Sequence, residues 1–246
     1  MPHLQTDDSS IYFEESGQGS TPVLLLGPGG IRANIPRWNN YVFNPLIDFD
    51  AVFRLVAFDQ RNSGHSTGTL DLEDPWGSYA DDARRLLDHL QIDTVSLVGA
   101  CVGASHALRL VDELGSRVRS AVIVQPIGVA KVKCDGWIAG RRLQTLNKWS
   151  AILQEDVSGL SESSAQKYAA KLLEGDFVFS VSRAAVSRMS IPMLVLPGVD
   201  EAHSTEIAIE IADLAPDAVL VRGWRDTPAA VASAVTTMRN FLTASR

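Results

Sequence analysis

Short, uninterrupted apolar runs recur along this chain, each closed by a glycine-rich turn and followed by a stretch with helical spacing. Pro22 to Leu26 runs into Gly27-Pro28-Gly29-Gly30, and Phe53 to Phe58 into Asp59-Gln60-Arg61-Asn62-Ser63-Gly64. Thr94 to Val98 runs into Gly99-Ala100-Cys101-Val102-Gly103, and Val118 to Val124 into Gln125-Pro126-Ile127-Gly128. Between them, Ser78 to Leu90 places Tyr79, Ala83, Leu86, Leu87 and Leu90 on one helical face, and Ala104 to Glu113 reads as a helix stopped by Gly115. A strand that is apolar at every position must be covered on both faces. Alternation of such strands with helices therefore predicts a mostly parallel sheet between two helical layers. Met193 to Leu196, a helix from about Ser204 to Leu214, Ala218 to Val221 and a helix from about Pro228 to Leu242 continue the pattern. Ile11 to Glu15 precedes it as a strand ending in the turn Ser16-Gly17-Gln18-Gly19, and the polar stretch Met1 to Ser10 reads as a solvated tail.

The rhythm fails between about Val129 and Ser190, which is helical in tendency and holds no clear strand. So long an insertion exceeds a simple crossover. It is expected to be a helical cap over the carboxyl ends of the strands, where sites of such sheets lie. The organisation read from the sequence is therefore a core from residues 1–128 and 191–246, with a cap or lid from 129–190.

Composition removes several function classes. Lys and Arg number 22 against 29 Asp and Glu, a net charge of −7, and no basic cluster stands out, so nucleic acid is not an expected partner. No run of about 18 apolar residues is present, so no membrane span is expected, and the N-terminus lacks a signal-peptide pattern. Two cysteines, Cys101 and Cys134, make neither a disulfide framework nor a four-cysteine metal site, and suit a reducing cytoplasm. No dinucleotide motif or metal-ligand cluster occurs, so neither cofactor nor metal is expected. The partner expected is a small-molecule substrate; a homodimer is one assembly open to such a chain.

The sharpest chemical signal is Gly99-Ala100-Cys101-Val102-Gly103, a G-x-C-x-G between a strand and a helix. A nucleophile on so tight a turn needs glycines two residues to either side. The turn lifts the thiol above the sheet at a helix N-terminus, which favours thiolate. A buried cysteine in an ordinary strand-to-helix turn is the plainer alternative. At this point the chain resembles the α/β-hydrolase superfamily over nearly its whole length. Gly27 to Gly30 sits where that family has its oxyanion loop, Asp59 to Ser66 looks like its D-x-R-G-x-G-x-S loop, Gly99 to Gly103 like its nucleophile elbow, and Leu194 to Asp200 like the strand and loop carrying the acid. The resemblance implies the α/β-hydrolase fold with a helical cap. It also implies an oxyanion hole from the backbone N–H groups of Gly29 and Val102, since Pro28 has no N–H.

Two departures from the family pattern matter. Cys101 stands where serine is usual, as in dienelactone-hydrolase-like members. The place of the family's histidine, after the last strand, reads Val221-Arg222-Gly223-Trp224-Arg225-Asp226, and no histidine follows His203. His3, His89 and His106 have ordinary readings as tail, helix-end and packed-helix residues. His65, in the loop after a core strand, is a candidate base or substrate contact. His203 leads, because it shares a loop with Asp200, the positional match for the orienting acid. Asp226 could exchange roles with Asp200, and Trp224 could fill the vacated position or close a pocket. Asp59 and Arg61 read as loop braces, and Trp137, Trp149 and Phe177 as candidates for lining a pocket under the cap.

A thiolate attacks well and also leaves well. Cys101 therefore suits esters, lactones or thioesters with good leaving groups, or carbon–carbon bonds that yield stabilised carbanions. The expected protein is a cysteine-nucleophile hydrolase of the esterase or thioesterase kind, with Cys101, His203 and Asp200 as its catalytic residues. Non-hydrolytic chemistry on the same fold (a lyase, acyltransferase, decarboxylase or cyclase) and an inactive ligand binder remain open, because fold does not fix function.

Overall fold

Each apolar run becomes a strand of one sheet. The computed structural model describes residues 2–131 and 135–244. In chain order the elements are β1 (His3–Gln5), β2 (Ser9–Ser16), β3 (Pro22–Leu26), α1 (Pro45–Asp48), β4 (Arg54–Phe58), β5 (Thr67–Gly68), α2 (Pro75–His89), β6 (Val95–Ala100) and α3 (Val102–Leu114). They continue with β7 (Val118–Val124), α4 (Asp135–Asp156), α5 (Glu162–Leu172), α6 (Arg183–Val186), β8 (Met193–Leu196), α7 (Thr205–Leu214), β9 (Ala218–Leu220) and α8 (Pro228–Ala244). The strand order is β1-β2-β4-β3-β6-β7-β8-β9, with β5 paired to β2. From β4 to β9 all pairing is parallel; β2 runs antiparallel to β1, β4 and β5.

Alternate strand residues serve opposite faces. Leu24, Leu26, Val56, Leu97, Ile123 and Val195 pack with α2, α3, α6 and α7. Their neighbours Val23, Leu25, Leu55, Val98, Val122 and Leu194 pack with α8 and the 35–53 stretch. Burial on both sides is what makes these strands apolar at every position. Helix starts are fixed locally: Asp74 caps α2 by accepting from Gly77 N, with Pro75 in the first turn, and Ser161 caps α5 by accepting from Ser164 N.

A third cluster fastens the helical insertion to the core. Trp149, Leu153, Tyr168 and Leu172 from α4 and α5 pack on Ile31, Trp76, Tyr79, Val102 and Ile127. Trp76 Nε1 donates to Leu172 O at 3.1 Å. Each large apolar side chain buried there contributes about 1.5–3 kcal/mol of transfer free energy. Among the described residues no helix is long and apolar enough to cross a membrane.

Two sequence expectations need correction. The polar N-terminus is not a free tail: His3 to Gln5 form β1 against β2, and His3 Nδ1 lies 3.0 Å from Ser10 Oγ. Backbone pairing is indifferent to side-chain polarity, so a polar edge strand shows no apolar signal. Helix α2 also begins at Pro75 rather than Ser78, because the Asp74 cap lies outside the apolar periodicity.

The loop after β4 is held by buried charge. Asp59 accepts from Ile35 N and His65 N, each at 2.8 Å. Arg61 makes a two-pronged bond to Asp82 at 2.8 and 2.6 Å, both side chains being almost wholly buried, and also reaches Asp8 and Thr69 O. Burial pushes the Asp82 carboxyl up, against the pull of Arg61. Removing one member of a buried pair leaves the other uncompensated, at a cost of about 3–5 kcal/mol. Asp82→Ala is therefore expected to lower unfolding free energy by roughly 3 kcal/mol in urea titrations, and wild-type stability in that variant would refute the bracing role.

Candidate active site

The order of the strands reverses at β3. The chain leaves β3 for β4 on one side and returns to β6 on the other, and ligands of such sheets bind at the carboxyl ends beside the reversal. The register sets Leu26 opposite Gly99. The loop that follows β3 and the turn that follows β6 are thus adjacent, and they carry Gly29 and Cys101.

Cys101 adopts φ 57° and ψ −119°, a left-handed strain on a residue with a side chain. Its flanking glycines are required by contact. A Cβ on Gly103 would meet Leu26 O at 2.0 Å, and one on Gly99 would meet Gly103 O at 2.2 Å. Cys101 N donates to Val124 O at 3.0 Å, which anchors the turn to β7. The thiol opens onto a cavity of about 450 Å³ whose floor includes Gly29, Cys101 and His203 and whose opposite wall is α4, with Arg141, Arg142, Lys148, Trp149 and Ile152.

His203 comes to the same floor from the loop after β8. Its Nδ1 lies 2.8 and 3.0 Å from the two Asp200 oxygens, while Asp200 Oδ1 also accepts from the backbone N–H groups of Ala202 and His203. One carboxylate thus shapes the turn and orients the ring. The loop folds back so closely that a Cβ on Gly198 would lie 2.3 Å from His203 Cβ. His203 Nε2 is buried and completes no hydrogen bond, yet it stands close enough to the Cys101 thiol for each to shift the other's proton affinity.

Those shifts have opposing causes. Burial alone would push the Cys101 thiol up; the His203 imidazole and the backbone N–H groups of Gly29 and Val102 outweigh it, and the net shift is downward. Burial also works to lower His203, but Cys101 and Asp200 hold it up at about 8. Burial would raise Asp200, and its bonds to His203 and Ala202 bring it below the usual carboxylate range. The geometry brings together Cys101, His203, Asp200, Gly29 and Val102.

The other candidates lie elsewhere. His65 is exposed, with Nδ1 3.4 Å from Asp59 Oδ2 and its ring against Tyr12, and it does not line the cavity. His106 Nε2 lies 2.9 Å from Tyr79 O, and burial first of all pulls its pKa down to about 4. Asp226 is exposed and does not orient the imidazole, whose Nδ1 is taken by Asp200. Trp224 is not among the described residues lining the cavity: it is buried under the His203 loop, its Nε1 donates to Pro197 O at 2.7 Å, and its ring meets Phe43 edge-on. Phe177 is buried in the core beneath Arg183 rather than on the cavity, whereas Trp149 does line it. Cys134 and the Trp137 side chain fall outside the described residues.

Residues that the sequence did not single out also border the site. Tyr41 OH donates to Gln125 Oε1 at 2.5 Å, and burial with the nearby Cys101 keeps its hydroxyl well above the usual tyrosine range. Gln125 follows β7 at a strand end, the one position from which it was findable. Arg141 pairs with Glu201, tying α4 to the loop of His203. Helical spacing alone gives no sign of that partner.

Comparisons with known proteins agree with this architecture. The family model described as alpha/beta hydrolase fold matches residues 22–174. The chain belongs to that family. It is 34% identical over 137 residues to the non-heme chloroperoxidase CPO-A1 of Kitasatospora aureofaciens, covering 55% of this chain and 47% of that protein. It is 37% identical over 112 residues to a proline iminopeptidase of Xanthomonas citri, covering 43% of this chain and 33% of that one. The chain thus spans less than half the length of these two relatives. Among solved structures, the enol-lactonase of Burkholderia xenovorans LB400 superposes with a TM-score of 0.68 at 16% identity, covering 98% of this chain and 100% of that one, a likeness of fold.

The electrostatics give a sign for the pH response of Cys101. Iodoacetamide reacts with thiolate, so alkylation should fall as pH falls, with a midpoint below that of a free thiol. In His203→Ala the lowering partner is gone while burial remains, and the midpoint should move upward. An unchanged midpoint would separate the two residues. The measurement is the alkylation rate of each protein between pH 5 and 10, read by mass spectrometry.

Proposed function

We propose that this protein is a hydrolase that works through a Cys101 thiolate and an acyl-enzyme, on an ester, lactone or thioester with a good leaving group. The observation that carries the reading is that Cys101, His203 and Gly29 share one cavity floor, with Asp200 holding the far nitrogen of the imidazole and Val102 opening the helix directly after the sulfur. The thiolate attacks the carbonyl carbon, a C–S bond forms, and the carbonyl electron pair moves to oxygen beside Gly29 N–H and Val102 N–H. Collapse expels the leaving group, which takes its proton from the His203 imidazolium. Water then attacks the thioester, gives its proton to neutral His203, and releases the acid and the thiolate. Donors aimed at a developing oxyanion typically supply about 10²–10³ in rate. His203 as acid and base would add about 10²–10⁴.

In this reading α4 to α6 act as a cap that shields the thioester from bulk water. A working thiolate also calls for a reducing compartment, which favours the cytoplasm.

Incubation with phenyl acetate followed by intact-protein mass spectrometry should find one acetyl group on the wild type and none on Cys101→Ala. Phenyl acetate should be cleaved at least about tenfold faster than ethyl acetate, and His203→Ala should lose about 10²-fold or more in kcat. Undiminished hydrolysis by Cys101→Ala would remove the nucleophile from the scheme. Preference for the alkyl ester would overturn the leaving-group argument, and turnover with no adduct even in rapid-quench samples would favour lyase or transferase chemistry.

A further inference from the structure

The cavity wall carries a charge pattern opposite to that of the chain. The chain has a net charge of −7, yet among the described lining residues the formal cations are Arg141, Arg142 and Lys148, against the single carboxylate of Glu201. Arg141 and Glu201 pair with each other. Arg142 and Lys148 have no carboxylate partner among the described residues.

Arg142 is held in place without being neutralised. Its Nη2 donates to Gly175 O at 2.7 Å, and its guanidinium carbon sits 5.6 Å from the centre of the Phe179 ring. Its Nε is buried and has no acceptor. A buried donor with no partner is uncommon in a native fold, and a guanidinium pairs strongly with oxyanions such as a carboxylate. Lys148 lies about 9 Å further along the same helix, at 1.5 Å per residue, within reach for a long side chain. Trp149 and Ile152, on the cavity side of that helix, offer apolar surface to a methylene chain. About 450 Å³ takes the monoester of a short dicarboxylic acid.

We infer that the acyl group of the substrate ends in a carboxylate, held by Arg142 and Lys148 beneath α4 while the scissile carbonyl lies over Cys101. Its catalytic half rests on Cys101 as nucleophile; the anion subsite is testable without it.

Cys101→Ala protein is titrated by calorimetry with monophenyl glutarate and with its neutral methyl ester, methyl phenyl glutarate. The acid should bind at least about tenfold more tightly at low salt, with the preference shrinking as salt rises. Adding Arg142→Gln with Lys148→Gln should bring the two ligands to within about twofold. Arg222→Gln, an exposed cation away from the cavity, should keep the preference. If the double substitution prevents folding, judged by thermal unfolding, Lys148→Gln alone should still cut the preference by about threefold. Equal binding of acid and methyl ester, or a preference that survives loss of Arg142 and Lys148, overturns the subsite. A preference for 4-sulfophenyl acetate over phenyl acetate, without one for monophenyl glutarate, overturns it too, by moving the anion to the leaving group. Mass spectrometry of the wild type with the two glutarates reads the covalent step separately. Adduct without acid preference sinks the anion subsite alone; acid preference without adduct sinks the covalent reading alone.

Discussion

The parallel pairing of β3 with β6 puts Leu26 opposite Gly99 and leaves no room between the strand end and the following helix. The strained Cys101 backbone, the two glycines around it and the nearness of Gly29 all follow from that register. A shift of one residue would send the apolar side chains of β6 to the wrong faces. It would also part the Gly29 loop from the sulfur. The strain at Cys101 persists because the surrounding sheet, buried on both sides, over-determines it.

The imidazole comes to the cavity floor from the loop after β8 rather than from the one after β9. The loop after β9 carries Trp224, whose indole is buried and bonded to Pro197 O. It braces the start of the loop after β8, and that loop brings His203 to the cavity floor. One segment therefore supplies both imidazole and carboxylate, and the final strand and helix supply packing. The insertion closes the opposite wall. Its attachment is apolar through Trp149, Tyr168 and Leu172, and charged where Arg141 meets Glu201.

What the sequence made legible follows from which forces leave a pattern. Two-sided burial writes continuous apolar runs, so the boundaries of β7 and β8 and the parallel sheet could be read directly. Steric need writes glycines, so the turn at Cys101 was visible. The pairing of Asp200 with His203 was legible because both sit on one short turn. Backbone pairing writes nothing in side chains, so the short strands β1 and β5 leave no apolar signal in the sequence. Contacts distant in sequence, such as Tyr41 with Gln125 or Arg142 with Gly175, depend on the folded path and leave no local mark.

The loop that holds both Asp200 and His203 has a mechanical consequence. In an arrangement where acid and base come from separate loops, independent motions disturb the bond between them. Here only two residues separate the two, and the Asp200 carboxylate is bonded to the backbone as well as to the ring. One carboxylate thereby fixes turn and ring together, through bonds that do not leave the loop. A displacement of that turn would carry ring and carboxylate together, changing the gap between Nε2 and the Cys101 sulfur rather than the bond to the carboxylate.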